Sequence, residues 1–243
     1  MKSLGRWGDL VIAASAVLII PWASTAASNQ VVVWFGEYDP QGIYLWNSVH
    51  HLCQLALTIL ATLPYRHSLC RWGFNLEHWQ QSLKYTRQFL VYFGGIAVGV
   101  HVILFLLSPP PVFPFPLDAA HLTGNLGFKL ILSGTCEEPL FRGFVMTILY
   151  LSWTGTVRLG KIEMPHAGLW ATALFMIAHI GFSLNPLAVH HFSITQQAQA
   201  MLLGLLYAYY FHKTRSLLAP VLVHNLFNFL LTGLGVIWVL AKR

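Results

Sequence analysis

Three groups of residues in this chain have the types and spacing to do chemistry. The first lies in "SGTCEEPLFRGF" (133–144), where Glu137 and Glu138 are adjacent and Arg142 follows four residues after the second. The second is Phe175-Met-Ile-Ala-His179, and the third is His224-Asn-Leu-Phe-Asn228. All sit in apolar surroundings, where an ionised side chain costs about 2.5–3.5 kcal/mol on membrane-insertion scales. Such groups need a partner or a task. Glu138 and Arg142 stand at i,i+4, share one helix face and can pair. Glu137 points about 100° away around the helix and finds no partner within its own turn. A carboxylate held beside another carboxylate is suited to take and return a proton.

Each histidine alone has a plain structural reading. His179 can be a satisfied core donor, and His224 with Asn228, on one helix face, can bind helices together. The three groups weigh more together. A carboxylate and an imidazole can activate water, here Glu137 and His179. A histidine and an asparagine amide can donate hydrogen bonds to a developing oxyanion, here His224 and Asn228. Alternatively, Glu137, His179 and His224 are a possible zinc ligand set that leaves a fourth position for water. Both readings describe hydrolysis without a serine or cysteine nucleophile. The cofactor is therefore open between zinc and none.

The other candidates read as packing. His50 and His51 fall in the second apolar stretch, His101 in the third, and His190 and His191 in a loop. Cys53, Cys70 and Cys136 form no CxxC pair and read as small apolar filler.

These residues must be positioned by helices in a membrane. Charged residues make up 9% of the 243 and hydrophobic ones 56%, and the mean hydropathy is +0.60. Soluble domains carry about 25% charged residues, so the composition points to a polytopic all-α transmembrane bundle. Apolar runs at about 8–27, 43–63, 87–108, 124–152, 165–184, 196–211 and 216–240 suggest about seven spans (six to eight), the last with a possible break near Gly233 and Gly235. The whole chain, 1–243, reads as a single integral membrane domain, with the motif-bearing core at about 124–240. The net charge of +6 is scattered over short loops, which excludes a basic stripe for nucleic acid. Instead the loop cations alternate: Lys2 and Arg6, then Arg66 to Arg87, then Arg158 and Lys161, then Lys213 and Arg215. That places the N-terminus in the cytoplasm, although Lys242 and Arg243 break the pattern. The first stretch, ending in "STAAS", also has the form of a secretory signal. "RWGFNLEHWQQSLKYTRQ" (71–88) reads as a helix in the membrane interface, capped by Asn75, with Trp72, Leu76, Trp79 and Leu83 on one face. Pro139 removes a backbone hydrogen bond to residue 135 and predicts a kink beside the glutamates.

The motifs resemble those of the CPBP family, which includes the type II CAAX prenyl endopeptidases and bacterial "Abi" homologues. That family's EExxxR, FxxxH and HxxxN/D motifs occur here in order at 137–142, 175–179 and 224–228. The resemblance covers about residues 125–230. It implies an intramembrane endopeptidase, glutamate-type or metal-dependent, in a bacterial cytoplasmic membrane. Its substrate is implied to be a membrane-associated peptide or lipidated protein. Glu137 and His179 then activate water, His224 and Asn228 serve the oxyanion, and Glu138 and Arg142 support the site. Two other functions fit buried Glu/His sets. One is a non-enzymatic peptide-binding or bacteriocin-immunity protein. The other is a proton-coupled transporter, disfavoured by the lack of a visible internal repeat.

Overall fold

The computed structural model describes residues 2–160, 162–184 and 187–242. Lys161 and Arg243, counted above among the cations, lie outside them. The chain runs mainly as helices. Helix α1 (Arg6–Phe35) is followed by α2 (Leu45–Thr62), α3 (Trp79–Phe89) and α4 (Gly95–Leu107). Then come α5 (Ala119–Ile131), α6 (Ser133–Glu138) and α7 (Met146–Leu149). A hairpin of β1 (Thr156–Leu159) and β2 (Ile162–Pro165) precedes α8 (His166–Ala178). A second hairpin, β3 (Gly181–Leu184) and β4 (Leu187–His191), precedes α9 (Ile194–Thr214) and α10 (Leu218–Ala241). The hairpins are antiparallel pairs and form no closed sheet, so the fold is all-α.

Local chemistry sets the helix starts. Asp39 accepts the backbone N–H groups of Ile43, Tyr44 and Leu45 at the head of α2. Asp118 accepts the His121 N–H at 2.9 Å and caps α5. Ser193 does the same for Gln196 at the head of α9.

Among the described residues three helices are long and apolar enough to cross a membrane: Arg6–Tyr38, Trp79–Leu107 and Leu218–Ala241. The expectation of about seven spans goes beyond these three. Helices α2 and α9 have 18 and 21 residues but are more polar, because both turn polar side chains towards the site. The expected span at 165–184 is cut short. Helix α8 has 13 residues and ends as the chain turns at His179 into β3, so His179 caps the helix rather than sitting within it. Helix α10 runs unbroken past Gly233 and Gly235.

The separate interfacial helix is not formed. Trp79 to Phe89 is continuous, through a π turn at Leu90–Gly94, with the apolar α4. Asn75 does not cap it. Its amide donates to the carbonyls of Cys70 and Arg215, tying this loop to the α9–α10 corner. Trp72 is fully buried, stacked on Phe144 at 5.5 Å between ring centroids. The signal-like stretch is woven into the fold. Ala13, Val17 and Ile20 belong to the main core, and Ser24 and Ser28 are buried, each bonded to a carbonyl four residues earlier.

At the centre lies Pro139–Val145, whose seven residues are all buried. Proline has no N–H to give residue 135, and the helix answers with a π segment rather than a break. The other helices surround it: α1 packs on α2, α8 on α9, and α10 against α5, α6 and α9.

Candidate active site

The kink at Leu132 and the π segment fix where the two glutamates point. Gly134 lets α10 come close, since a Cβ there would stand 2.6 Å from the His224 Cβ. Asn225 seals the contact, accepting the Gly134 N–H at 2.6 Å. At this crossing Glu138 turns towards α10. His224 Nδ1 donates to its Oε1 at 2.7 Å. Arg142 Nη1 lies 3.1 Å from both carboxylate oxygens, and Nη2 donates to the Gly204 carbonyl. Glu138 and Arg142 are fully buried. The guanidinium lies 4.6 Å from the Phe175 ring and 5.1 Å from the Tyr207 ring, a double cation–π contact. Phe175 thus supports Arg142 and, at 4.4 Å, the ring of His179.

Glu137 points elsewhere, as the 100° offset requires. Its nearest partner is not His179 or His224 but His51 of α2. His51 Nε2 lies 2.8 Å from Glu137 Oε1, and its Nδ1 donates to the Asn47 carbonyl at 2.8 Å. A carbonyl only accepts, so Nδ1 carries hydrogen, and a single proton lies between Nε2 and Oε1. The other oxygen, Oε2, is buried without a hydrogen bond, 4.0 Å from His224 Nε2. His179 donates Nδ1–H to the Phe175 carbonyl at 2.8 Å, which leaves Nε2 as an acceptor.

Glu137, His179, His224 and Asn228 all line one cavity of about 280 Å³. Glu138 and Arg142 lie behind its wall. Asn228 gives one amide hydrogen to Ser133 Oγ at 2.6 Å and retains a second. Phe128, Leu203 and Phe227 add apolar surface to a lining that also includes Gln196 and Gln199. A smaller cavity of about 100 Å³, lined by His50, Gln54 and Phe141 among others, touches Glu137, His51 and His179 from behind. His190 and His191 stay away from both cavities, and His191 bonds Gln196.

Among the described residues no group of three or more His, Cys, Asp or Glu is placed to hold a metal ion, so the zinc set is not drawn together here. His51 holds one oxygen of Glu137 and Glu138 holds Nδ1 of His224, contacts of the kind that also orient metal ligands. The remaining pair, Oε2 and Nε2, is 4.0 Å apart, against about 3.3 Å for two tetrahedral ligands at zinc distances.

Residues 119–230 match the family model described as type II CAAX prenyl endopeptidase Rce1-like. The matched stretch takes in all three motifs. The match agrees with the CPBP resemblance of the three motifs, and it supports a membrane-embedded protease of the CAAX endopeptidase kind. No curated protein and no solved structure matches the chain. The matched stretch opens at the first residue of α5 and includes Glu137, His179, His224 and Asn228. His51 falls outside it. Sequence reading also passed over His51, although a signal was present. Asn47, His51, Gln54 and Thr58 recur at helical spacing on α2, a polar stripe along an otherwise apolar helix.

Proposed function

We propose that this protein is an intramembrane endopeptidase that hydrolyses a peptide bond near the C-terminus of a lipidated, membrane-associated substrate. One observation carries the reading: Glu137, His179, His224 and Asn228, from three separate helical segments, converge on one cavity. In the active form the shared proton rests on His51, which leaves Glu137 a carboxylate with Oε1 held and Oε2 free. Water in the cavity gives its proton to Oε2, assisted by the acceptor Nε2 of His179, and its oxygen attacks the scissile carbonyl. The new oxyanion is met by Asn228 Nδ2–H and by His224 Nε2–H. For Nε2 to donate, the His224 ring must carry both protons. Glu138 accepts from Nδ1 at 2.7 Å, and a Glu137 oxygen stands 4.0 Å from Nε2. Arg142 balances the charge of Glu138. The tetrahedral intermediate then collapses, the C–N bond breaks, and Glu137 returns its proton to the leaving amine.

We take the protease core to be 124–240 within one membrane domain. The loop charges support a cytoplasmic N-terminus in a bacterial cytoplasmic membrane. Phe128, Leu203 and Phe227 in the lining offer apolar contacts to a lipid-bearing substrate. The test is cleavage of prenylated and unprenylated C-terminal peptides by the purified protein in lipid nanodiscs, with mass-spectrometric product assignment. The parent is expected to cut the prenylated peptide, and Glu137→Gln and His179→Ala are expected to be inactive while still folded. Parental rates in either variant refute the assignment. Parallel assays with and without chelator show whether a metal contributes.

A further inference from the structure

Among the described residues Lys129 is the one lysine or arginine lining the 280 Å³ cavity. It sits on α5, partly buried in an apolar segment, where a cation normally has an acidic partner. Among the described residues no carboxylate stands within ion-pair distance of it, and its ammonium lies 5.4 Å from the Phe128 ring. Glu137, a carboxylate lining the cavity, is bonded to His51. Lys129 is thus a cation with no bonded carboxylate among the described residues, on the same wall as the proposed base. From the geometry we infer that Lys129 binds the free α-carboxylate at the C-terminus of the substrate.

The spacing supports this, granted the peptidase reading above on which it rests. Lys129 and Glu137 are eight residues apart on α5 and α6, at most about 12 Å along the axis at the helical rise of 1.5 Å per residue, less whatever the bend at Leu132 takes up. Both face the cavity. A C-a-a-X terminus places its carboxylate three residues beyond the lipidated cysteine. Three extended residues span about 10 Å, and the flexible lysine stem takes up the difference. A bond cut at Glu137 and a carboxylate held at Lys129 would thus fix the length of the released peptide. Beyond this point the two residues divide the work: Glu137 acts on the bond, and Lys129 sets how far that bond lies from the chain end.

The experiment compares a farnesylated C-a-a-X peptide ending in a free carboxylate with the same peptide ending in an amide. The parent is expected to show a KM at least about tenfold lower for the acid, the usual scale of one charge-assisted hydrogen bond. Lys129→Met should abolish that preference, and Lys129→Arg should keep it. A second arm uses the Glu137→Gln variant, and measures binding of the two intact peptides by fluorescence anisotropy in nanodiscs. It needs no turnover, so it judges Lys129 even if the peptidase reading fails. Equal affinity for acid and amide, or an undiminished preference for the acid in a Glu137→Gln/Lys129→Met double variant, overturns the inference. In either case Lys129 is only a stem packed on Phe128.

Discussion

Replacing His51 by alanine should slow turnover far more than it weakens substrate binding. His51 bridges two fixed points, the Asn47 carbonyl and Glu137 Oε1, each at 2.8 Å. It therefore sets both the rotamer of the carboxylate and the oxygen left free for water. A hydrogen bond to a charged group is worth about 1.5–3 kcal/mol. At about 1.4 kcal/mol per tenfold, removing it should lower kcat roughly 10- to 150-fold. In the proposed mechanism Glu137 is the group whose charge changes during the step, so the loss should fall on kcat, with KM moving little by comparison. His51→Gln is the informative companion. The glutamine amide nitrogen reaches about as far along the side chain as Nε2 and can donate to the same oxygen, so it should recover much of the rate. Steady-state kinetics on the prenylated peptide measure the split, and thermal melting checks that each variant is folded. In a Glu137→Ala background the stability cost of His51→Ala should shrink, because the partner is already gone. Parental kcat in a folded His51→Ala protein refutes the reasoning. So does His51→Gln that melts like the parent but works no better than alanine.

Arg142→Ala leaves the Glu138 carboxylate buried without its countercharge, and should destabilise the protein by about 3–5 kcal/mol in a thermal or denaturant melt. Arg142→Lys should rescue this only in part, since one ammonium cannot reproduce both the Glu138 and the Gly204 contacts. Gly134→Ala puts a methyl group 2.6 Å from the His224 Cβ and 3.0 Å from the Val221 carbonyl, so α10 must shift. It should cost activity out of proportion to its loss of stability, which paired melting and kcat measurements will show. At the head of α5, the backbone N–H and ring of His121 hold the Asp118 carboxyl below the usual carboxylate range. A depressed value means that the cap is complete above the unfolded-state pKa of about 3.9 and is lost as pH falls below it. Acid titration by NMR should show the Asp118 midpoint below that of an unstructured aspartate, and Asp118→Asn should remove the dependence.

What the sequence shows and what it hides differ in a physical way. Pairs on one helix are legible because their geometry is fixed by 3.6 residues per turn. The Glu138–Arg142 pair follows that rule, and it is present. The π segment is half legible: Pro139 announces a disturbed helix, yet whether it kinks or takes in an extra residue depends on the packing around it. Helix ends are less legible. Nothing in the apolar run through His179 marks the stop after Ala178, and that stop turns a residue expected inside a span into the cap of α8.

Partners on different helices are hidden for a further reason. The motif pattern leads one to pair His224 with Glu137, but Glu138 receives its Nδ1–H instead. The choice between adjacent glutamates is a 100° rotation, and it is decided by how closely α10 lies against α6. That depends on Gly134 having no side chain and on Asn225 binding its N–H. Once Glu138 faces α10, Glu137 is turned about 100° around the helix, where His51 of α2 bonds one of its oxygens. The polar stripe of α2 thus follows from the same packing. A carboxylate turned away from one histidine needs another, and an apolar helix with Asn47, His51, Gln54 and Thr58 on one face supplies it. This makes the two histidines complementary: His224 orders Glu138 and stays at 4.0 Å from the free oxygen of Glu137, while His51 takes the bound one. A carboxylate held on one oxygen and open on the other is what a base for water requires. His51 also lines the cavity, so its loss should alter one wall, but it should spoil the base far more than it weakens binding.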